Sequence, residues 1–361
     1  TLAALRRPDT PNTPNSPDKP KRSAPEAARE FLRGVSFAMR NSIDGGYHAP
    51  IVERELARLA SLGSNAVSLM PFGFQQDPRE PTLTFRHESP SSETDFGLVV
   101  AARRAHAQGF RVLWKPHLWI SHDSWPGEVE MANEADWRTW WRSYRRYVLH
   151  QAVLAQWAQA ELFSVGVELD RTTGRQREWR DLIAAVRRVA PRAAITYSAN
   201  WDRAETSPFW DAVDLVGVDS YFPLASVGEG DPAALERGAQ EVVRRLAALA
   251  AKSGRPVLLT EFGFPARRAA WSDPHSEEGE FSEADQAAAY RAMLSALGRP
   301  QWLAGLFLWK SNSNESTMSP EVGTDFRFLG RAAEREIRSY FAGPPPQGAA
   351  VGAGSGRRGE P

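Results

Sequence analysis

Two glutamates each stand alone at the end of an apolar run. Glu168 closes LFSVGV, the run from Leu162 to Val167, and Glu261 closes PVLLT, the run from Pro256 to Thr260. A carboxyl group at such an exit is partly desolvated, which favours its protonated form, and a neighbouring negative charge favours that form further. Hydrogen-bond donors do the reverse and keep a carboxylate ionised. Two carboxyl groups in unlike surroundings supply a proton donor and a nucleophile, the pair needed to cleave a glycosidic acetal. One protonates the leaving oxygen while the other attacks or stabilises the anomeric carbon. Tyr221 and His117, each just past another apolar run, are candidate donors toward the ionised member.

The elements that must position this pair follow from hydrophobic patterning. Short apolar runs begin at Leu32, Asn65, Phe110, Leu162, Ala194, Leu215, Pro256 and Leu303, and longer stretches of helical period lie between them. IVERELARLASLG ends on Gly63. DPAALERGAQEVVRRLAALAAKSG opens with Asp231 and Pro232 in cap and first-turn positions and stops at Gly254. Eight strand-and-helix units predict a (β/α)₈ TIM barrel, with an open doubly wound sheet as the competing architecture. In a barrel, reactive groups belong at the C-terminal ends of the strands. That rule yields Asn41, then Lys115, His117 and Trp119, then Glu168 and Asp170. Asn200 and Trp201 follow, then Asp219 and Tyr221, Glu261, and last Trp309, Lys310 and Asn312. Residues 1–29, rich in Pro, Asn, Ser and charge, read as a flexible leader, and 343–361 as a low-complexity tail, leaving 30–342 for the barrel.

Aromatic residues give the substrate side. A pyranose offers a face of C–H bonds to an indole or phenol ring and a rim of hydroxyls to polar groups. Of 13 tryptophans, Trp119, Trp125, Trp201 and Trp309 fall in loops or strand exits, while Trp137, Trp140, Trp141, Trp157 and Trp179 lie on helical stretches and are expected to pack. The 361 residues carry 44 basic and 44 acidic side chains, so the chain has no net charge with which to attract nucleic acid. With no cysteine, disulfides, thiolate nucleophiles and cysteine-bound zinc are excluded. The seven histidines form no metal-binding spacing, no phosphate loop or G-x-S-x-G turn occurs, and no run is long enough to span a bilayer. The expectation is a monomeric enzyme without metal or cofactor, acting on a neutral polysaccharide or oligosaccharide.

FSVGVELDR around Glu168, ITYSANWD through Asn200 and Trp201, FWDAVDLVGVDSYFPL to Tyr221, LLTEFGFP at Glu261 and GLFLWKS at Trp309 together resemble glycoside hydrolase family 113. This family comprises β-mannanase-like barrels of a large retaining clan. The likeness runs from FLRGVSFAM to DFRFLGRAAEREI. It implies that Glu168 is the acid/base, Glu261 the nucleophile, Tyr221 a hydrogen-bond donor to the nucleophile, and Trp309 the floor beneath the attacked sugar. An endo-β-1,4-mannanase working by double displacement is the implied enzyme. β-Glucan or xylan is the alternative substrate, and a catalytically inactive carbohydrate-binding barrel the alternative function. Many clan members carry Asn before the acid/base to hold the sugar 2-hydroxyl; Val167 stands there, and Asn200 is the expected substitute. A chain beginning at Thr1 with a Pro-rich segment is read as secreted or held in the cell envelope.

Overall fold

The structure is a computed structural model and describes residues 30–39, 46–85, 93–121, 124–318 and 323–344. Asn41, the segment 1–29 and the tail beyond Pro344 lie outside the described residues. In chain order the strands are β1 (Leu32–Ala38), β2 (Ala66–Leu69), β3 (Phe72–Gln75), β4 (Arg111–Trp114), β5 (His117–Ile120), β6 (Leu162–Val167), β7 (Ala194–Asn200), β8 (Val216–Ser220), β9 (Val257–Phe262) and β10 (Leu303–Asn312). The α-helices are α1 (Ile51–Leu62), α2 (Asp95–Ala107), α3 (Glu134–Trp157), α4 (Gln176–Val189), α5 (Pro232–Ser253), α6 (Glu283–Leu297) and α7 (Ala332–Ala342). Eight parallel strands close into a barrel in the order β1-β10-β9-β8-β7-β6-β4-β2. This is the TIM barrel expected from the alternating pattern.

Local chemistry explains the helix limits. α1 ends where Gly63 turns left-handed at φ 98°, and its buried face is Val52, Leu56 and Leu59, the spacing of one helical side. α5 starts on Asp231, whose carboxylate accepts from the Ala233 and Ala234 N–H groups, and ends on Gly254 at φ 63°. Both limits coincide with those read from the pattern.

Two features depart from it. The second and third runs each end on proline, and a further short strand follows it. Pro71 separates β2 from β3 and Pro116 separates β4 from β5, so β3 and β5 form a separate two-stranded parallel sheet standing above the barrel wall. Proline has no N–H to give to a ladder. The register of Leu69 with Trp114 nevertheless resumes as Phe72 with His117, bridged by a hydrogen bond from His117 N–H to the Pro71 carbonyl. The second departure follows β7: residues 201–215 carry only two short 3₁₀ turns, Ala204–Thr206 and Trp210–Ala212. Pro208 disfavours helix at Ser207, and the buried rings of Phe209 and Trp210 cover the wall that a helix would cover.

Inside the barrel, side chains change character along the strands. At the N-terminal end Leu32, Ala66, Leu113, Leu162, Leu258 and Phe307 belong to a buried cluster separate from the main core. Two residues further on, facing the same way by the strand's period of two, come Ser68, Ser164 and Thr260, all buried, with the Ser164 and Ser198 hydroxyls 3.0 Å apart. The next inward positions open on the mouth. Trp137, Trp140, Trp141 and Trp179 pack between helices and barrel as expected, but Trp157 is 64% exposed at the end of α3. Its ring has overrun the barrel wall and carries the Arg103 guanidinium at 5.5 Å instead.

Candidate active site

The mouth of the barrel is a cavity of about 800 Å³ whose lining includes Glu168, Glu261, His117, Trp119, Trp309 and Lys310. Glu168 leaves β6 with a left-handed backbone, φ 50°, a conformation uncommon outside glycine. The barrel holds it there: Glu168 N–H donates to the Ser198 carbonyl at 2.8 Å, and the next N–H, of Leu169, donates to the Tyr197 hydroxyl at 2.9 Å. The β6–β7 register shifts between Ser164 and Val167, and the β8–β9 register shifts just before Asp219 and Glu261. Such irregularities re-aim side chains at strand ends. Behind Glu261, Gly263 leaves room for the Trp309 carbonyl, which would lie 2.6 Å from a β-carbon placed there. β10 can therefore bring its indole up to the cavity.

The two glutamates sit in opposite electrostatic surroundings. Glu261 accepts from Lys115 Nζ on Oε1 at 2.5 Å and from the Tyr221 hydroxyl on Oε2 at 2.6 Å. Lys115 also donates to Asp219 at 3.0 Å, and Asp219 accepts from the Thr260 hydroxyl at 2.7 Å. Lys115 and Asp219 are fully buried. Burial pulls the Lys115 ammonium toward its neutral form, but Asp219 and Glu261 outweigh it, and its pKa is raised. Burial and the Glu261 charge push the Asp219 carboxyl up to about 7, against the pull of Lys115 and Thr260. Burial, then Glu261, likewise lift the Tyr221 phenol well above its ordinary range, so it remains a donor.

Among the described residues the Glu168 carboxyl receives one hydrogen bond, from the Trp125 indole N–H to Oε2 at 2.7 Å. Burial, then the charges of Asp219 and Glu261, raise its pKa well above the ordinary carboxylate range; the Trp125 donor and Lys115 oppose the shift without reversing it. One carboxylate is thus held by two strong donors, and the other carboxyl is pushed toward its protonated form. This is the unlike pair that acid-assisted nucleophilic displacement requires.

The remaining candidates divide. His117 lies beside Glu261, Nε2 to Oε1 3.9 Å, too long for the donor contact expected of it. Burial, then Lys115 and Lys310, hold its imidazole well below its usual pKa, and its ring is stacked toward Trp309 at 6.2 Å. Trp119, 57% exposed, stands on β5 edge-on to Phe72. Lys310 holds its ammonium 4.7 Å from the centre of the Trp309 ring. Lys115, expected as a substrate contact, spends its donors on Asp219 and Glu261 and is sealed from the cavity. Asn200 and Trp201 do not line the cavity. The Asn200 side-chain oxygen accepts from Trp201 N–H at 2.8 Å, and the Trp201 indole packs on Phe222. The Asp170 carboxylate is buried 3.8 Å from the Arg203 guanidinium, and burial raises its pKa to about 7. The part played by Trp125 was missed because a loop indole reads as a sugar platform. Asp219 was marked only by its place after a strand, and nothing local announces a partner 104 residues away. Among the described residues no cluster of three or more His, Asp or Glu is arranged to hold a metal ion, and no helix is long and apolar enough to cross a membrane.

Comparison with known proteins gives the arrangement a family. The family model of glycoside hydrolase family 113 matches residues 35–331. The fold is similar to that of a family 113 β-mannanase from Alicyclobacillus acidocaldarius, at 26% identity and TM-score 0.77, with 86% of this chain and 97% of that chain covered. A family 113 β-1,4-mannanase at 23% identity shares the fold with TM-score 0.76, covering 86% of this chain and 99% of that one. A family 5 glycoside hydrolase from Streptomyces cattleya, solved with Manβ1-4GlcNAc, is more distant, at 17% identity and TM-score 0.56 over 88% of this chain and 83% of its own. No curated protein matches the chain.

Proposed function

Because this chain belongs to glycoside hydrolase family 113 and is therefore a glycoside hydrolase, we propose that it is a retaining endo-β-1,4-mannanase with Glu261 as nucleophile and Glu168 as acid/base. The observation that carries the reading is the contrast around the two carboxyl groups. Lys115 and Tyr221 hold both oxygens of Glu261, whereas burial and the acids facing it push Glu168 toward its protonated form. In the first step Glu261 attacks the anomeric carbon while Glu168 passes its proton to the departing glycosidic oxygen, leaving a glycosyl ester. In the second, Glu168, now a carboxylate, takes a proton from water, which attacks the anomeric carbon and frees Glu261. Lys115 and Tyr221 also stabilise the carboxylate as it leaves. Trp309 and Trp119 offer the flat apolar surfaces on which sugar rings rest.

Mannan as the substrate is supported by the family 113 β-mannanase that the fold matches at 26% identity. Val167 lines the cavity and gives no polar contact to a sugar 2-hydroxyl, so the configuration of that carbon is not read at this position and β-glucan or xylan is the second reading. A polymer of this kind does not cross a bilayer, so the same proposal places the enzyme outside the cytoplasm or in the cell envelope. Release of reducing sugar from mannan, glucomannan, xylan and β-glucan tests the substrate, and NMR of the first-formed anomer tests retention. We expect mannan first, a β-anomer first, and loss of turnover in Glu261→Ala. An α-anomer or an active Glu261→Ala rejects the mechanism.

A further inference from the structure

The mouth contains one more acid that this chemistry leaves unused. Glu93 lies between β3 and α2, next to Thr94, whose hydroxyl caps α2 by accepting from Gly97 N–H. It lines the same cavity as Glu168 and Glu261. Among the described residues, no other side chain hydrogen-bonds or ion-pairs with it, and only its own backbone does so. The two phenols within electrostatic reach are already engaged: Tyr47 donates to the Phe37 carbonyl and Tyr147 to the carbonyls of Pro71 and His117. Burial alone raises the Glu93 carboxyl to about 7. A carboxyl group desolvated without a partner is costly unless a ligand completes it.

Its place in the ring of strands indicates what that ligand is. From β9, which carries Glu261, one direction leads through β8 and β7 to β6 and Glu168. The other leads through β10 and β1 to β2, whose continuation β3 lines the same cavity as Glu93 through Phe72 and Phe74. A proton donor must stand beside the leaving oxygen, so the leaving chain lies over the β6 side and the retained sugars over β10, β1 and β2. The phenols within its reach, Tyr47 and Tyr147, are anchored on the Phe37 carbonyl of β1 and the Pro71 carbonyl after β2, which sets Glu93 on the side of the retained sugars. We propose that Glu93 binds a pair of ring hydroxyls on a retained sugar at least one unit beyond the scissile bond, and so determines how many sugars the enzyme grips before cutting. A carboxylate can accept from two neighbouring hydroxyls at once, and charge-assisted bonds of that kind are the stronger ones.

The inference rests on the glycosidase reading of the site, and the test separates the two. Wild type, Glu93→Gln and Glu93→Ala are assayed on aryl β-glycosides carrying one, two and three sugars ahead of the aryl group, in a manno and a gluco series. The expected result is a variant-to-wild-type ratio of kcat/KM that falls by about tenfold between one sugar and two or three in Glu93→Ala, the size of one charge-assisted hydrogen bond. The fall should appear in KM and be smaller in Glu93→Gln, which keeps a hydrogen-bonding amide. A ratio that is the same at every length, whether unity or uniformly low, overturns the proposal, the second case marking a structural role that a lowered Tm would corroborate. Preference for the gluco series would overturn mannan as the substrate while leaving the Glu93 comparison intact.

Discussion

The two ends of the barrel are made of the same strands and obey opposite rules. At the N-terminal end Leu32, Leu113, Leu162, Leu258 and Phe307 fill the bore with apolar volume, every one below 1% exposed. At the C-terminal end the same strands and their neighbours present Lys115, Asp219 and Glu261, whose charges answer one another, and Glu168, which burial and those acids push toward its neutral form. Between them a layer of buried hydroxyls, including Ser36 and Ser68, which have no hydrogen-bond partner among the described residues, separates the two. One end gains stability from burial; the other gives some of it up to keep two carboxyl groups in unlike surroundings. A closed barrel permits this because distant strands tie the two ends together.

The contrast breaks most severely at Lys115. Lys115→Met leaves Asp219 and Glu261 facing each other without a cation, so one of them must take up a proton. We expect kcat to fall by about 10²–10³-fold and stability by about 3–5 kcal/mol, as when one partner of a buried ion pair is removed. Carboxyl groups whose folded pKa is raised contribute stability below their unfolded pKa and lose it as pH rises, so the deficit should grow toward alkaline pH. Steady-state kinetics and urea unfolding across pH check both parts. Next comes the apolar end: Leu162→Ala should cost about 2–5 kcal/mol by opening a cavity, yet leave kcat of the folded protein unchanged, which unfolding and activity measured on one sample would show. The smallest effect is expected at Trp125. Its indole favours the ionised form of Glu168, so Trp125→Phe removes that pull and raises the pKa. Because the acid must be protonated to act, activity is lost as pH rises through this pKa. The alkaline limb of kcat/KM should therefore move upward, by about one unit for one hydrogen bond to a charged group; a downward move contradicts the assignment.

What could be read in advance follows the range of the interactions involved. The strand starts, the stops at Gly63 and Gly254, and both glutamates at strand exits were legible, because period, caps and apolar runs are local signals. Glu168 at φ 50° was not. Its backbone is set by Ser198 and Tyr197 on the neighbouring strand, and no stretch of sequence around Glu168 encodes that. Lys115, followed by Pro116, read as a substrate contact because its two carboxylates lie more than a hundred residues away. In the eightfold pattern the segment after β7 reads as one more strand-and-helix unit, although Pro208 and the pair Phe209 and Trp210 cover the wall without a helix.

The breaks at Pro71 and Pro116 bear on how such an enzyme can diversify. β3 and β5 carry Phe72, Phe74, His117 and Trp119 beside the cavity, yet these two strands form no part of the hydrogen-bonded ring that closes the barrel. Substitutions on the outer positions of this small sheet alter the surface that meets the polymer without removing a closure contact. Variation in substrate range can therefore accumulate there while the strands that hold the two glutamates remain under separate constraint.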